Sequence, residues 1–183
     1  MSMSDFKLIN ETYNNFYKQL MSSGKVPLKE TSVGYWGFSY LKDVFEIFKE
    51  IKLGSFQNFI DLGSGDGKVV MVSSLFTNSI GFELDLDLFN KAIELKNKLI
   101  KKINIKNEIK FENKNYLYED LSKYDVFFHY PDKRMYDIEN KLLKEMKKDA
   151  ILIHYGNMFF PLQLRKIKDF NFNGLIARVY KNS

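Results

Sequence analysis

Asp61, Gly63, Gly65 and Gly67 fall within one seven-residue stretch, Asp-Leu-Gly-Ser-Gly-Asp-Gly. An acid that ends an apolar run, followed by glycines at alternate positions, suits a chain that must turn tightly and pass close to a ligand. Asn58-Phe59-Ile60 before it reads as a strand, and Lys68-Val69-Val70-Met71-Val72 after it opens a helix. Strand, glycine turn and helix together make the place where open α/β sheets bind nucleotides. A second acid, Glu83, ends the next apolar run 22 positions after Asp61, where a carboxylate can accept two ribose hydroxyls. Farther along stand the chain's two histidines, each followed by a tyrosine: His129-Tyr130 and His154-Tyr155. Histidine can take a proton near neutral pH, and tyrosines can wall a narrow channel. The plainer reading makes both histidines hydrogen-bonded strand-end residues.

Three nucleotide chemistries compete for the glycine turn. A phosphate-cradling P-loop needs Gly-x-x-x-x-Gly-Lys-Ser/Thr, and Val69 stands where the hydroxyl belongs. The dinucleotide fingerprint needs Gly-x-Gly-x-x-Gly, and its third glycine position holds Lys68. The third ligand is a sulfonium carrying an amino-acid head and a ribose. Asp61 suits the ammonium or a water beside it, Glu83 suits the ribose, and both carboxylates attract a cationic cofactor.

The elements that hold these residues follow from periodicity. Phe6, Ile9, Tyr13, Phe16, Tyr17 and Leu20 recur at helical spacing and predict a helix over 5–22. Residues 31–37, with the single tryptophan, read as irregular, and Leu41 to Ile51 as a second helix closed near Gly54. Alternation then sets in. Strands are expected at 58–62, 79–83, 108–112, 124–130 and 150–155, with helices near 67–76, 86–102 and 135–147. A short helix is expected near 160–167, and Asn173-Gly174 between apolar stretches signals a hairpin. This predicts an α/β fold: a doubly wound, mostly parallel seven-stranded sheet with a C-terminal antiparallel hairpin. Residues 1–54 read as an N-terminal helical extension and 55–183 as one compact domain.

Composition narrows the class. The chain has 183 residues, 45% of them hydrophobic, which fits a globular core. No apolar run approaches the length of a membrane span, and Met1-Ser-Met-Ser-Asp lacks the makings of a secretory signal. Cysteine is absent, which excludes disulfides and thiolate metal sites and fits a cytoplasmic protein. His129 with Asp132 does not make a metal site, so no metal is expected. The formal charge of +5 favours anionic partners such as nucleic acid or acidic protein surfaces. Lysines between Lys91 and Lys114 could follow a phosphate backbone, or form a solvated helix face.

Phe59-Ile-Asp-Leu-Gly-Ser-Gly-Asp-Gly67 resembles the first motif of the class I S-adenosylmethionine-dependent methyltransferases, and Gly81-Phe-Glu-Leu-Asp85 resembles their second. The resemblance covers residues 55–155. It implies an enzyme whose methyl donor, S-adenosylmethionine, is held by Asp61, Gly63, Ser64, Gly65 and Glu83, with the loop of Asn115 and Tyr116 beside the adenine. It places the acceptor at the carboxyl ends of the fourth and fifth strands, near His129, Tyr130, Asp132, His154 and Tyr155. Methyl transfer from a sulfonium asks mainly for alignment, so a catalytic base is optional. Tyr130-Pro131-Asp132 stands where many amino-group methyltransferases carry Asn/Asp-Pro-Pro-Tyr/Phe, which disfavours adenine or glutamine acceptors. Asp61 to Val70, Asn115 to Leu121 and the Lys141–Lys148 stretch are similar to small archaeal protein-lysine methyltransferases, and more loosely to the non-SET histone-lysine methyltransferases. A protein lysine is therefore the expected acceptor. RNA is the alternative, since Pro131-Asp-Lys-Arg134 faintly resembles a tRNA guanine-N7 methyltransferase motif. A non-catalytic binding module with the same fold is the reading of another class.

Overall fold

The computed structural model describes residues 3–32, 34–172 and 174–182. Helix α1 (Met3–Ser22) precedes a small antiparallel hairpin, β1 (Lys29–Thr31) and β2 (Gly34–Trp36), and then α2 (Leu41–Glu50). The main sheet follows with β3 (Asn58–Leu62), α3 (Lys68–Ser73), β4 (Asn78–Phe82), α4 (Leu86–Leu99), β5 (Ile109–Glu112), β6 (Val126–His129), α5 (Tyr136–Glu145), β7 (Ile151–Tyr155), β8 (Arg165–Phe172) and β9 (Leu175–Lys181). Its seven strands lie in the order β5-β4-β3-β6-β7-β9-β8. The first five are parallel, and β9 enters antiparallel to both β7 and β8.

Side-chain alternation divides each central strand between two cores. Phe59, Val126, Phe128, Ile151 and Ile153 join the cluster that includes α1, α2, α3 and α4. Ile60, Leu62, Phe127 and Leu152 join the opposite cluster with α5. Helix α1 buries Phe6, Ile9, Tyr13 and Tyr17, the stripe expected from its period. Strand order reverses between β3 and β6, so a crevice opens beyond their carboxyl ends.

Two expectations need correction. Residues 31–37 are not irregular: Lys29 pairs with Trp36, Glu30 with Tyr35 and Thr31 with Gly34. No helix forms near 160–167. Phe159 sits at φ 58°, and the backbone N–H groups of Gln163 and Leu164 donate to Glu139 Oε1 at 2.6 and 3.1 Å. Residues from Arg165 onward pair along β9, which would otherwise be left as a bare edge, so tertiary pairing overrides the helical spacing. The expected hairpin is present, although Asn173 of its turn signal lies outside the described residues, as do Met1 and Ser2.

Candidate active site

At the end of β3 the chain turns through Gly63, Gly65 and Gly67, all with φ between 55° and 84°. Only glycine adopts such angles without strain. The N–H groups of Gly63 and Ser64 both donate to Phe82 O, at 3.0 and 2.9 Å, which ties the turn to the end of β4. Glu83 completes the tie: its Oε2 accepts from Gly65 N at 2.7 Å and its Oε1 from Asp85 N at 2.8 Å. Each carboxylate oxygen keeps a lone pair for a ligand hydroxyl. Burial raises the Glu83 carboxyl above its ordinary pKa, and the two amides oppose that rise. Asp61 is buried behind the turn. Desolvation pushes its carboxyl well up, Glu83 and Asp66 add like-charge repulsion, and Lys68 pulls the other way. A cationic ligand would relieve that repulsion.

A cavity of about 730 Å³, counting the solvent at its mouth, lies over this turn. Gly63, Glu83, Asn115, Tyr116, His129, Tyr130 and Asp132 line it, so seven of the expected residues converge on one space. Ser64 does not line it. Its Oγ is buried without a partner, 2.5 Å from where a Cβ on Gly81 would sit, so Ser64 serves the turn through its backbone. Asn115 caps a 3-10 turn at Tyr116–Tyr118 by accepting from Leu117 N at 3.0 Å. Asn113, part of the loop expected beside the adenine, donates to the carbonyls of Glu83 and Leu84 at 2.8 and 3.0 Å.

The β1–β2 hairpin roofs the cavity with Thr31, Gly34, Tyr35 and Trp36. It is fastened on both sides. Lys29 Nζ bonds Asp85 at 2.8 Å and Asp87 at 3.0 Å, on the β4 side. Tyr35 N donates to Asp132, on the β6 side. Asp132 therefore holds the roof as well as lining the cavity. This strap escaped the sequence because its strands are three residues long and its partners lie 56 and 97 positions away. The Tyr35-Trp36 pair was the available signal.

On the β6 side of the cavity, His129 is buried and its Nδ1 donates to Leu62 O at 2.9 Å, which leaves Nε2 as the basic nitrogen of the neutral ring. Burial lowers its pKa below the ordinary 6.5. Tyr116 stands edge-on to the ring at 5.8 Å, and burial raises its own pKa to about 12. Tyr130 stands edge-on to Tyr155 at 5.1 Å. Tyr155 accepts from Tyr40 N at 3.2 Å and bonds Asp43. His154 does not join the cavity. Its ring packs 5.0 Å from Phe160, and its Nε2 donates to Met158 O at 3.0 Å. Among the described residues no group of three or more metal-ligating side chains comes together, and no helix is long and apolar enough to cross a membrane.

The fold is shared with solved structures. An RNA methyltransferase from Salinibacter ruber in complex with S-adenosyl-L-homocysteine matches with a TM-score of 0.66 at 17% identity, over 79% of this chain and 93% of that one. A methyltransferase from Geobacter sulfurreducens matches with a TM-score of 0.63 at 13% identity, over 94% and 89%. The putative methyltransferase yhhF from Escherichia coli gives 0.58 at 15%, over 78% and 83%. No curated protein sequence matches the chain. The family model "Histone methylation protein DOT1" matches residues 28–127, more than half the chain, from the roofing hairpin to β6. The chain thus belongs to the DOT1 family, and is a class I methyltransferase whose methyl donor is S-adenosylmethionine.

Proposed function

We propose that the protein methylates a lysine side chain of a protein. The observation that carries this reading is the aromatic wall at the β6 end of the cavity: Tyr130 lines it and is held edge-on against the buried Tyr155. An aromatic ring accepts an aliphatic stem and its ammonium head, and a low-polarity wall favours the neutral, nucleophilic amine. In this reading Asp61, Gly63, Ser64 and Gly65 hold the methionine part of the donor, Glu83 the ribose, and Asn115 with Tyr116 the adenine. His129 and Tyr130 face the acceptor amine, and Asp132 keeps the roof over it. Tyr155 sets Tyr130, and His154 supports the strand end from behind. The donor supplies an already activated methyl group, so the residues act by aligning the amine with it and excluding water. The family's histone description supports a protein acceptor. We also propose that residues 1–54 act as an extension completing the domain of residues 55–183.

RNA is the second reading, favoured by Lys114 and Lys133 at the cavity mouth. Labelled S-adenosylmethionine incubated with cell extract and the protein separates the two. Label removed by protease and retained after ribonuclease supports the lysine reading, and the reverse result replaces it with RNA.

A further inference from the structure

Three glycines make the donor turn permissive, so something outside it must fix its shape. Beside the ties of Gly63, Ser64 and Gly65 to the end of β4, α1 supplies the contacts to Asp66. Tyr17 donates its hydroxyl hydrogen to Asp66 Oδ2, between Gly65 and Gly67. Lys68 Nζ donates to the same Tyr17 oxygen at 2.9 Å, and Tyr13 donates to Asp66 O at 3.1 Å. Asp66 Oδ1 accepts from Lys68 N at 3.4 Å, closing the turn on itself. The Lys68 ammonium lies 4.3 Å from the ring centre of Phe38 and 4.8 Å from that of Tyr17. Tyr17, Asp66 and Lys68 are all buried, at 4%, 1% and 3% exposure.

Burying a carboxylate and an ammonium is a poor way to gain stability, because desolvation offsets their attraction, yet it selects one arrangement sharply. An apolar contact would anchor α1 equally well. A charged pair joined through a phenol fixes the direction of the Asp66 side chain, and with it the peptide planes on either side. The plane on its N-terminal side joins it to Gly65, whose own N–H, one peptide earlier, donates to Glu83.

We infer that Tyr17 is a positioning residue for the donor turn: its hydroxyl, held between Asp66 and Lys68, sets the Gly65–Gly67 backbone in the shape that receives the methyl donor. The inference rests on the placement of the donor at this turn. It adds a working part from outside the glycine motif, carried by a helix that precedes the whole sheet.

The test uses the full chain and S-adenosylhomocysteine as the calorimetric probe. Tyr17→Phe keeps the ring and removes the hydroxyl, and should weaken binding about tenfold, the scale of a lost hydrogen bond to a charged group. Amide exchange should quicken at Gly65 to Lys68 while α1 stays protected. Tyr17→Phe combined with Asp66→Asn should lose no more affinity than Asp66→Asn alone. Affinity within twofold of the unmodified chain would overturn the inference. So would faster exchange in α1 with the turn unchanged, the mark of a mere anchor. Should Tyr17→Phe fail to fold, Lys68→Gln carries the test, with weaker binding expected and Lys68→Arg expected to restore it. Failure of the unmodified chain to bind the probe would remove the donor placement itself, a result distinct from an insensitive variant.

Discussion

Trp36 lies against Gly65 so closely that a Cβ on the glycine would sit 2.4 Å from its Cδ1. The hairpin roof and the glycine turn under the cavity therefore touch at one point, and that point is also the residue whose amide bonds Glu83. Gly65→Ala meets two obstacles, a φ of 55° and an indole in the way. The left-handed angle alone costs about 1–2 kcal/mol. We expect S-adenosylhomocysteine to bind at least tenfold more weakly. The chain has a single tryptophan, so its emission reports directly on the roof, and the spectrum of Gly65→Ala should differ from that of the parent before ligand is added. An unchanged spectrum with unchanged affinity would contradict the contact.

Glu83 is held by two backbone amides and offers its remaining lone pairs to the cavity. Glu83→Ala should cost donor binding about 1–3 kcal/mol, the range for a hydrogen bond involving a charged group. Titration calorimetry reads this directly. A variant that binds as tightly as the parent would remove Glu83 from the ribose assignment.

The strap over the cavity is pinned at Lys29 and at Tyr35. Lys29 is exposed enough for solvent to screen its pairs with Asp85, which is mostly covered, and with Asp87, which is not, so each is worth about 0–1 kcal/mol. Lys29→Ala should change donor affinity less than about fivefold and show itself mainly as faster release. Asp132→Ala frees the other end, where Tyr35 N loses its acceptor, and should speed release more. Stopped-flow tryptophan fluorescence distinguishes the two. Equal release rates in both variants and the parent would show that the strap does not gate the cavity.

How far the sequence could be read depended on how far each contact reaches along the chain. Strand β3 and the glycine turn were legible because strand period, terminal acid and glycine spacing are local signals. Glu83 was legible as a matching acid on the next strand. The strap and the Tyr17 contacts were not, since Lys29 meets Asp85, and Tyr17 meets Asp66, only after the chain folds back across 56 and 49 residues. The stretch near 160–167 misled because Leu164 and Ile167 sit at helical spacing, while the open flank of β9 decides the outcome. The two His-Tyr pairs looked equivalent in sequence. His129 and His154 are register partners on one face of the sheet, but β6 borders the cavity while His154, one strand farther out, is covered by Phe160 and Met158.

His154 offers a test that needs no ligand. Burial, with His129 and Arg178 nearby, lowers its pKa from 6.5 to about 4. Between those two values the unfolded chain takes up a proton that the folded chain refuses, so stability falls as pH drops from 6.5 towards 4. The loss from this residue is up to about 3 kcal/mol. His129, whose pKa is also lowered, acts in the same direction. Asp61, Asp66 and Glu83, whose carboxyls burial raises, act in the opposite direction, so the effect of His154 is read as a difference. Urea unfolding at pH 7 and at pH 5 should show that His154→Phe gains stability relative to the parent as pH falls, and an identical pH dependence in the two proteins would refute the burial argument.

The bond from Tyr17 to Asp66 also has a meaning in time. A ribosome delivers α1, amphipathic and with its tyrosines unoccupied, before the turn it will meet, and must add another 43 residues after Ser22 before Asp66 appears. Helix α1 therefore waits on the glycine turn, and that turn cannot take its final shape until an earlier segment of the chain is called back to it.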